Sequence, residues 1–504
     1  MLNLHSKEYI EQNIYINNKN QGGSMEKIYS VRHEEIFKYF YEICSIPHGS
    51  GDMGKISSYC MEFAKKHGLD AVCDDAKNVI IYKNGSKGYE GSEPIILQGH
   101  LDMVCQKTEE SGIDFFVDGI TVLNDGDYLV ADGTTLGADN GIAVSMILAI
   151  LASKDLPHPP IEAVFTTDEE IGMLGAMALD FSRISAKKMI NIDSEEQDVL
   201  TVSCAGGSDF KFLIKKETEE KTGTEVVFAV RGLKGGHSGV EINSGRVNAN
   251  VLMARILNHV KNDCDFDILS VNGGDKSNAI PVSSKAVLIT KNAEQLKNAL
   301  DSYCEIIKKE ISEREKGFAY DISINDEKNF VVLNRKTRDK LIFLMLCTPN
   351  GVVEMSAEIE NLVETSLNLG ILKTEEDEII LHYALRSNKK SAMAFLEEKL
   401  KSISSFLECE AHVFGHYPPW EYKENSKLQR IYKEKYKEKF GDFPKVEAIH
   451  AGLECGVFAS KTDDMDCISI GPDMKDVHTV NERLSISSTE AIFDILLEVL
   501  KALK

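Results

Sequence analysis

Six residues in the first 200 have the types and spacing for chemistry: His100, Asp102, Asp139, Glu169, Glu170 and Asp193. Each stands just past an apolar run or at the opening of a helix-like stretch. Ile95-Ile-Leu-Gln-Gly leads to His100-Leu-Asp102, and Leu136-Gly-Ala to Asp139-Asn-Gly-Ile-Ala143. Phe165-Thr-Thr-Asp leads to Glu169-Glu170, and Met189-Ile-Asn-Ile to Asp193. A buried strand must end in polar residues, but it has no structural need for imidazole and carboxylates at one end after another. In α/β sheets, function gathers at the carboxyl ends of strands. Imidazole and carboxylate without Cys suit a catalytic zinc, and also manganese or cobalt. A carboxylate shared by two metals holds them roughly 3.5–4 Å apart, and such a pair activates water at neutral pH. His100 and Asp102 are two residues apart, so in extended chain they point to one side. Asp102 can then orient the imidazole from behind. Glu169 and Glu170 are neighbours and cannot face one metal alike. One can be a ligand and the other a general base.

A sheet is needed to position these groups. Strands are expected at Ala71–Cys73, Val79–Lys83, Ile95–Gln98, Ile161–Thr167 and Lys188–Ile192. Helices are expected at Met53–His67 and Asn140–Ser153, the second with its N-cap at Asp139–Asn140. Strands alternating with helices imply an α/β fold, a mostly parallel sheet with helices on both faces. Gly49-x-Gly51-x-x-Gly54 matches a dinucleotide-loop pattern, but no strand precedes it as that mechanism requires.

After Gly207 the segments alternate apolar and polar residues. A helix at Val247–Lys261, strand pairs, a helix at Ala293–Glu313 and a strand at Ala319–Ile324 follow. The same helix-strand-strand-helix-strand order recurs from Arg338 to Phe414, which predicts an inserted α+β lid domain of two ferredoxin-like lobes. The first fold resumes near His416. Tyr417-Pro-Pro-Trp420 reads as a linker, and helices at Ser426–Phe440 and Ser488–Lys501 complete the chain. The expected division is 25–206 with 413–504 as catalytic domain and 207–412 as lid. Residues 1–24 are rich in Asn and Gln without a period, and read as a disordered extension or a start-site artefact.

A chain of 504 residues is too long for one core. Its 57 basic and 80 acidic residues leave a net charge of −23, which argues against nucleic acid or an anionic membrane as partner. The 11 Cys are scattered, odd in number and without a CxxC pair, so reduced thiols in a cytoplasm are expected. No apolar run is long enough to span a membrane.

The motifs Gly99-His-Leu-Asp102, Ala131-Asp-Gly-Thr-Thr-Leu-Gly-Ala-Asp-Asn-Gly141 and Thr166-Thr-Asp-Glu-Glu170 resemble the two-zinc amidohydrolase and exopeptidase family that includes carboxypeptidase G and the aminoacylases. Ile449-His-Ala-Gly-Leu-Glu-Cys-Gly456 and Ile470-Gly-Pro-Asp-Met-Lys-Asp-Val-His478 resemble its aminoacyl-histidine dipeptidase branch, the carnosine-splitting type. The resemblance runs from about Tyr29 to the C-terminus. It implies His478 as the last metal ligand, with His100 and Asp193 on one metal, Glu170 and His478 on the other, and Asp139 bridging. It implies His237, in Gly235-Gly-His-Ser-Gly239, as the group that stabilises the tetrahedral oxyanion. Asn278 and Arg386 become candidates for the substrate carboxylate, which a guanidinium fork suits. His450 and Glu454 are candidate substrate contacts, Glu454 for a free amino group.

The implied activity is hydrolysis of dipeptides with a free amino terminus, including β-alanyl-histidine, with Glu169 as general base and two divalent metals, zinc or else manganese or cobalt. The alternative is an N-acyl amino acid amidohydrolase, or a broad short-peptide exopeptidase, with the same site. In the family's smaller members the oxyanion histidine comes from the partner subunit. The lid here is about twice as long, so a homodimer is not required for a complete site.

Overall fold

The computed structural model describes residues 32–504, so the expectation for residues 1–24 lies outside the described residues. The chain divides into two compact units. One holds residues up to 200, 426–445 and 464–504, and the other holds 201–425 and 446–463.

The first unit is built on parallel strands. Ile161–Thr166, Ile95–His100, Lys188–Asn191 and Asp466–Ser469 lie side by side in that order, all parallel. Val79–Lys83 and Asp70–Cys73 extend the sheet antiparallel beyond Ile161–Thr166. Ile95, Ile96, Leu97, Ala163, Val164 and Phe165 are all buried, as expected of central strands covered on both faces. The helix Ala138–Ala152 is apolar nearly all round and packs against both Ile95–His100 and the helix Glu34–Cys44. The helix Gly54–His67 covers Asp70–Cys73 and Val79–Lys83, and Lys427–Phe440 packs on Asp466–Ser469. This arrangement places the loops after His100, Thr166, Asn191 and Ser469 at one edge, the carboxyl ends of the four parallel strands.

The second unit is built on a nine-stranded sheet in which every pairing is antiparallel. It contains two βαββαβ lobes. The first runs Thr218–Arg231, Ala249–Val260, Asp267–Gly273, Ser284–Thr290, Ala293–Ile311 and Ala319–Leu333. The second has Gly206–Lys215 as its first strand. It then takes Arg335–Cys347, Val363–Thr374, Glu378–Ser387, Lys390–Phe406 and Glu410–Tyr417. The whole first lobe is thus inserted between the first strand and first helix of the second. The lobes meet where Gly273 pairs with Leu372, and their helices share one apolar core.

Three details differ from the sequence reading. Residues 201–206, 413–425 and 446–463, expected with the catalytic part, group with the second unit. Strand Glu410–Tyr417 pairs with Gly206–Lys215, and Ile449 O accepts from the Ala205 N–H at 3.0 Å. Tyr417–Trp420 is no free linker: Trp420 is 3% exposed and exchanges backbone hydrogen bonds of 3.0 and 3.1 Å with Cys204. Asp139 and Asn140 do not cap their helix, because both side chains are committed elsewhere. Among the described residues no helix is long and apolar enough to cross a membrane.

Candidate metal centre

The strand Ile95–His100 delivers His100 almost fully buried, with its two ring nitrogens facing different ways. Nδ1 lies 3.0 Å from the Asp102 carbonyl oxygen and 3.4 Å from its carboxylate. Nδ1–H therefore donates backwards, which leaves the Nε2 lone pair for a ligand. Nε2 is 3.0 Å from Asp139 Oδ1 and 3.5 Å from Asp193 Oδ1. On the other side, His478 Nε2 is 2.8 Å from Glu170 Oε1 and 3.1 Å from Asp139 Oδ2. Asp139 thus offers one oxygen to each imidazole. Two groups of donor atoms result, His100–Asp139–Asp193 and Asp139–Glu170–His478, each with its atoms within 4.8 Å of one another.

The support behind these groups is specific. Asp102 spends its carboxylate mainly on the next loop. Its oxygens accept from the Glu169 and Glu170 N–H groups at 3.0 and 3.2 Å and from Ser50 Oγ at 2.8 Å. Asp168 adopts φ 53°, and the tight turn sets both Glu169 and Glu170 at the site. The Glu169 carboxylate comes within 4.8 Å of donor atoms of His100 and Glu170. Asn140 is fully buried. It accepts from the His100 N–H at 3.1 Å and donates to Ile192 O at 2.7 Å and Asp193 Oδ1 at 2.9 Å. Sequence reasoning missed Asn140 as a partner, though it adjoins Asp139. It also missed Glu482, whose only signal was its place four residues after His478.

The donors fit a pair of divalent cations. All are imidazole or carboxylate, the set that suits zinc, manganese or cobalt. The electrostatics ask for positive charge. Hydrogen bonds to Asp139 and Glu170 push the half-exposed His478 up to about 11. Burial pulls His100 down, yet Asp193, Asp102 and Asp139 outweigh it and its pKa rises. Burial and the Asp139 charge raise the Glu170 carboxyl against the opposing pull of His478.

The second unit gathers its own polar cluster. Strand Gly236–His237 pairs with Ala279–Ile280, and Ser238 N–H donates to Asn278 O at 2.9 Å. His237 Nδ1 accepts from the Gly239 and Val240 N–H groups, both at 3.2 Å. Its neutral tautomer therefore carries hydrogen on Nε2. Burial and nearby Arg386 hold its pKa below the usual value. Gly239 is required here: a Cβ would come within 2.4 Å of His450 O and 2.8 Å of His237 Cε1. Arg386 donates to Tyr417 Oη at 2.8 Å, and its Nε has no protein partner. Asn278, Arg386 and Tyr417 share a cavity of about 450 Å³ with Asp209 and Lys276. Glu454 is fully buried in the first turn of Glu454–Lys461.

His450 is buried behind this cluster, bonded to Ser366 Oγ at 2.7 Å and Asn388 Oδ1 at 3.2 Å. Burial, with Arg386 and His237, pushes it down to about 3. Neutral when folded, it takes up a proton on unfolding once the pH is below its ordinary value of 6.5. The stability it confers is complete above that value and is lost as pH falls toward 3. His450→Gln should flatten the acid-side fall of the unfolding free energy measured in urea, by at most about 1.4 kcal/mol per pH unit. An unchanged slope would remove His450 from that titration.

A parallel sheet with carboxylates and imidazoles at its strand ends, joined to an inserted antiparallel unit, defines a metallohydrolase type of molecule. The sequence profile of peptidase family M20/M25/M40 matches residues 96–502, and the chain belongs to that family. It is 36% identical to the Escherichia coli "Cytosol non-specific dipeptidase" over 95% of this chain and 99% of that protein. The crystal structure of aminoacylhistidine dipeptidase from Vibrio alginolyticus superposes with TM-score 0.85 at 34% identity, covering 95% and 99% of the two chains. Aminopeptidase PepT from Bacillus cereus, at 16% identity and TM-score 0.54 over 94% and 99%, shares the fold.

Proposed function

We propose that this chain is a cytoplasmic two-metal dipeptidase acting on unblocked dipeptides, aminoacyl-histidines among them. The observation that carries the reading is the Asp139 carboxylate, one oxygen toward His100 and the other toward His478, with Asp193 and Glu170 completing two donor sets. Bound there, two divalent metals, zinc in the first instance, supply Lewis acidity and lower the pKa of a water. The residues do the rest. Glu169 removes the proton of the attacking water and returns it to the amide nitrogen, so that water adds across the C–N bond and a carboxylate and an amine leave. The His237 Nε2–H donates to the developing oxyanion, and its depressed pKa keeps it a neutral donor. Arg386, with Asn278 in the same cavity, takes the substrate carboxylate. The cytoplasmic assignment rests on the 11 free thiols and on the E. coli relative.

The test is a panel assayed with metal-loaded protein: β-alanyl-histidine and other aminoacyl-histidines, unrelated dipeptides, tripeptides and N-acetyl amino acids. Unblocked dipeptides should be the preferred substrates. Preference for N-acetyl amino acids would overturn the reading in favour of an amidohydrolase. In the same assay His237→Ala should lower kcat by about 10²–10³ with KM little changed, as for loss of one oxyanion donor. A rise in KM alone would instead make His237 a binding group.

A further inference from the structure

The regular part of helix Ala138–Ala152 is preceded by a turn in which Gly137 has φ 72°, Asp139 and Asn140 lie outside helical φ/ψ (−81°, 103° and −119°, 24°), and no local side chain caps Gly137. Asp139, which stands where an N-terminal acceptor is favoured, faces two imidazoles instead, and Asn140 is bonded to His100 and Asp193. The backbone N–H groups at this turn still need acceptors. They find them on Glu482. Oε2 accepts from Leu136 at 2.7 Å and Gly137 at 3.1 Å, and Oε1 from Ala138 at 2.9 Å and Asp139 at 3.3 Å. The side chain is 2% exposed, and no Lys or Arg pairs with it among the described residues. Its charge is met by the four peptide N–H groups of this turn. Glu482 belongs to the loop that carries His478, and its own N–H donates to Thr479 O at 3.1 Å. One carboxylate therefore joins the backbone of the Asp139 turn to the loop of His478.

We propose that Glu482 is a positioning residue of the metal centre, holding the Leu136–Asp139 backbone so that Asp139 can present one oxygen to each donor set. This rests on the two-metal reading above. Glu482 meets the site only through the peptide groups it holds. A neutral amide cannot replace it, because Glu482→Gln turns one acceptor of two N–H groups into a donor pointed at them.

The test measures zinc affinity and stoichiometry by chelator competition on wild type, Glu482→Gln and Glu482→Asp, with near-ultraviolet circular dichroism to confirm folding. Glu482→Gln should bind zinc about 10–100-fold more weakly, as for loss of an outer-shell partner, and Glu482→Asp should recover part of the loss. Folded Glu482→Gln with wild-type affinity and two zinc ions overturns the proposal and leaves the metal reading standing. Wild type that binds no zinc overturns both. Hydrogen exchange on metal-free wild type needs no variant and decides the matter if Glu482→Gln does not fold. The Leu136–Asp139 amides should exchange slowly with or without zinc. Fast exchange that only zinc slows would mean that the metal organises the turn, which overturns the proposal.

Discussion

Glu169→Gln protein should bind two metals as the wild type does, yet hydrolyse dipeptides about 10²–10⁴-fold more slowly. Neither half-centre with an imidazole on Asp139 depends on the Glu169 side chain: one uses His100 and Asp193, the other Glu170 and His478. The amide is nearly the same size as the carboxylate, and the loop is held through the Glu169 N–H on Asp102, which the substitution leaves in place. The capacity to take a proton is lost. The control is Glu170→Gln, which should weaken metal binding as well, because the Glu170 oxygen stands 2.8 Å from His478 Nε2. Metal content by elemental analysis and kcat on one dipeptide separate the two. Near-normal turnover of fully loaded Glu169→Gln would remove Glu169 from the role of base.

Much of the catalytic unit was legible because its signals are local. Continuous apolar runs such as Ile95–Leu97 and Ala163–Phe165 mark strands buried on both faces, and polar groups directly after them mark functional strand ends. His478 was not legible in that way. It lies in a loop with φ 64° far along the chain, and only resemblance singled it out. The helix start at Asp139–Asn140 shows where local reasoning fails. Asp and Asn are favoured caps, but here tertiary demands take both side chains and a carboxylate 343 residues away caps the turn instead. Spacing carries no trace of such a partner. The lid's repeat was visible as a recurring order of elements. That the second lobe takes its first strand from Gly206–Lys215, ahead of the first lobe, was not visible, since strand pairing is non-local. Trp420 was read with its prolines as linker, although a lone apolar ring gains more by burial than by exposure.

Removing metal should abolish hydrolysis altogether, a larger effect than any substitution, because without Lewis acidity Glu169 alone faces a water whose pKa is about 15.7. The His478 imidazole, pushed up to about 11 by its carboxylate neighbours, shows how strongly the centre draws positive charge. Metal-free protein should regain zinc, manganese or cobalt, whose binding displaces the His478 proton, and activity should follow occupancy. The decisive measurement is a titration of metal-free protein with zinc, following bound metal per chain by elemental analysis and dipeptide hydrolysis in the same samples. The account predicts no turnover in the stripped protein and restoration that is complete at two ions per chain. Full hydrolysis in protein shown to be metal-free would contradict it.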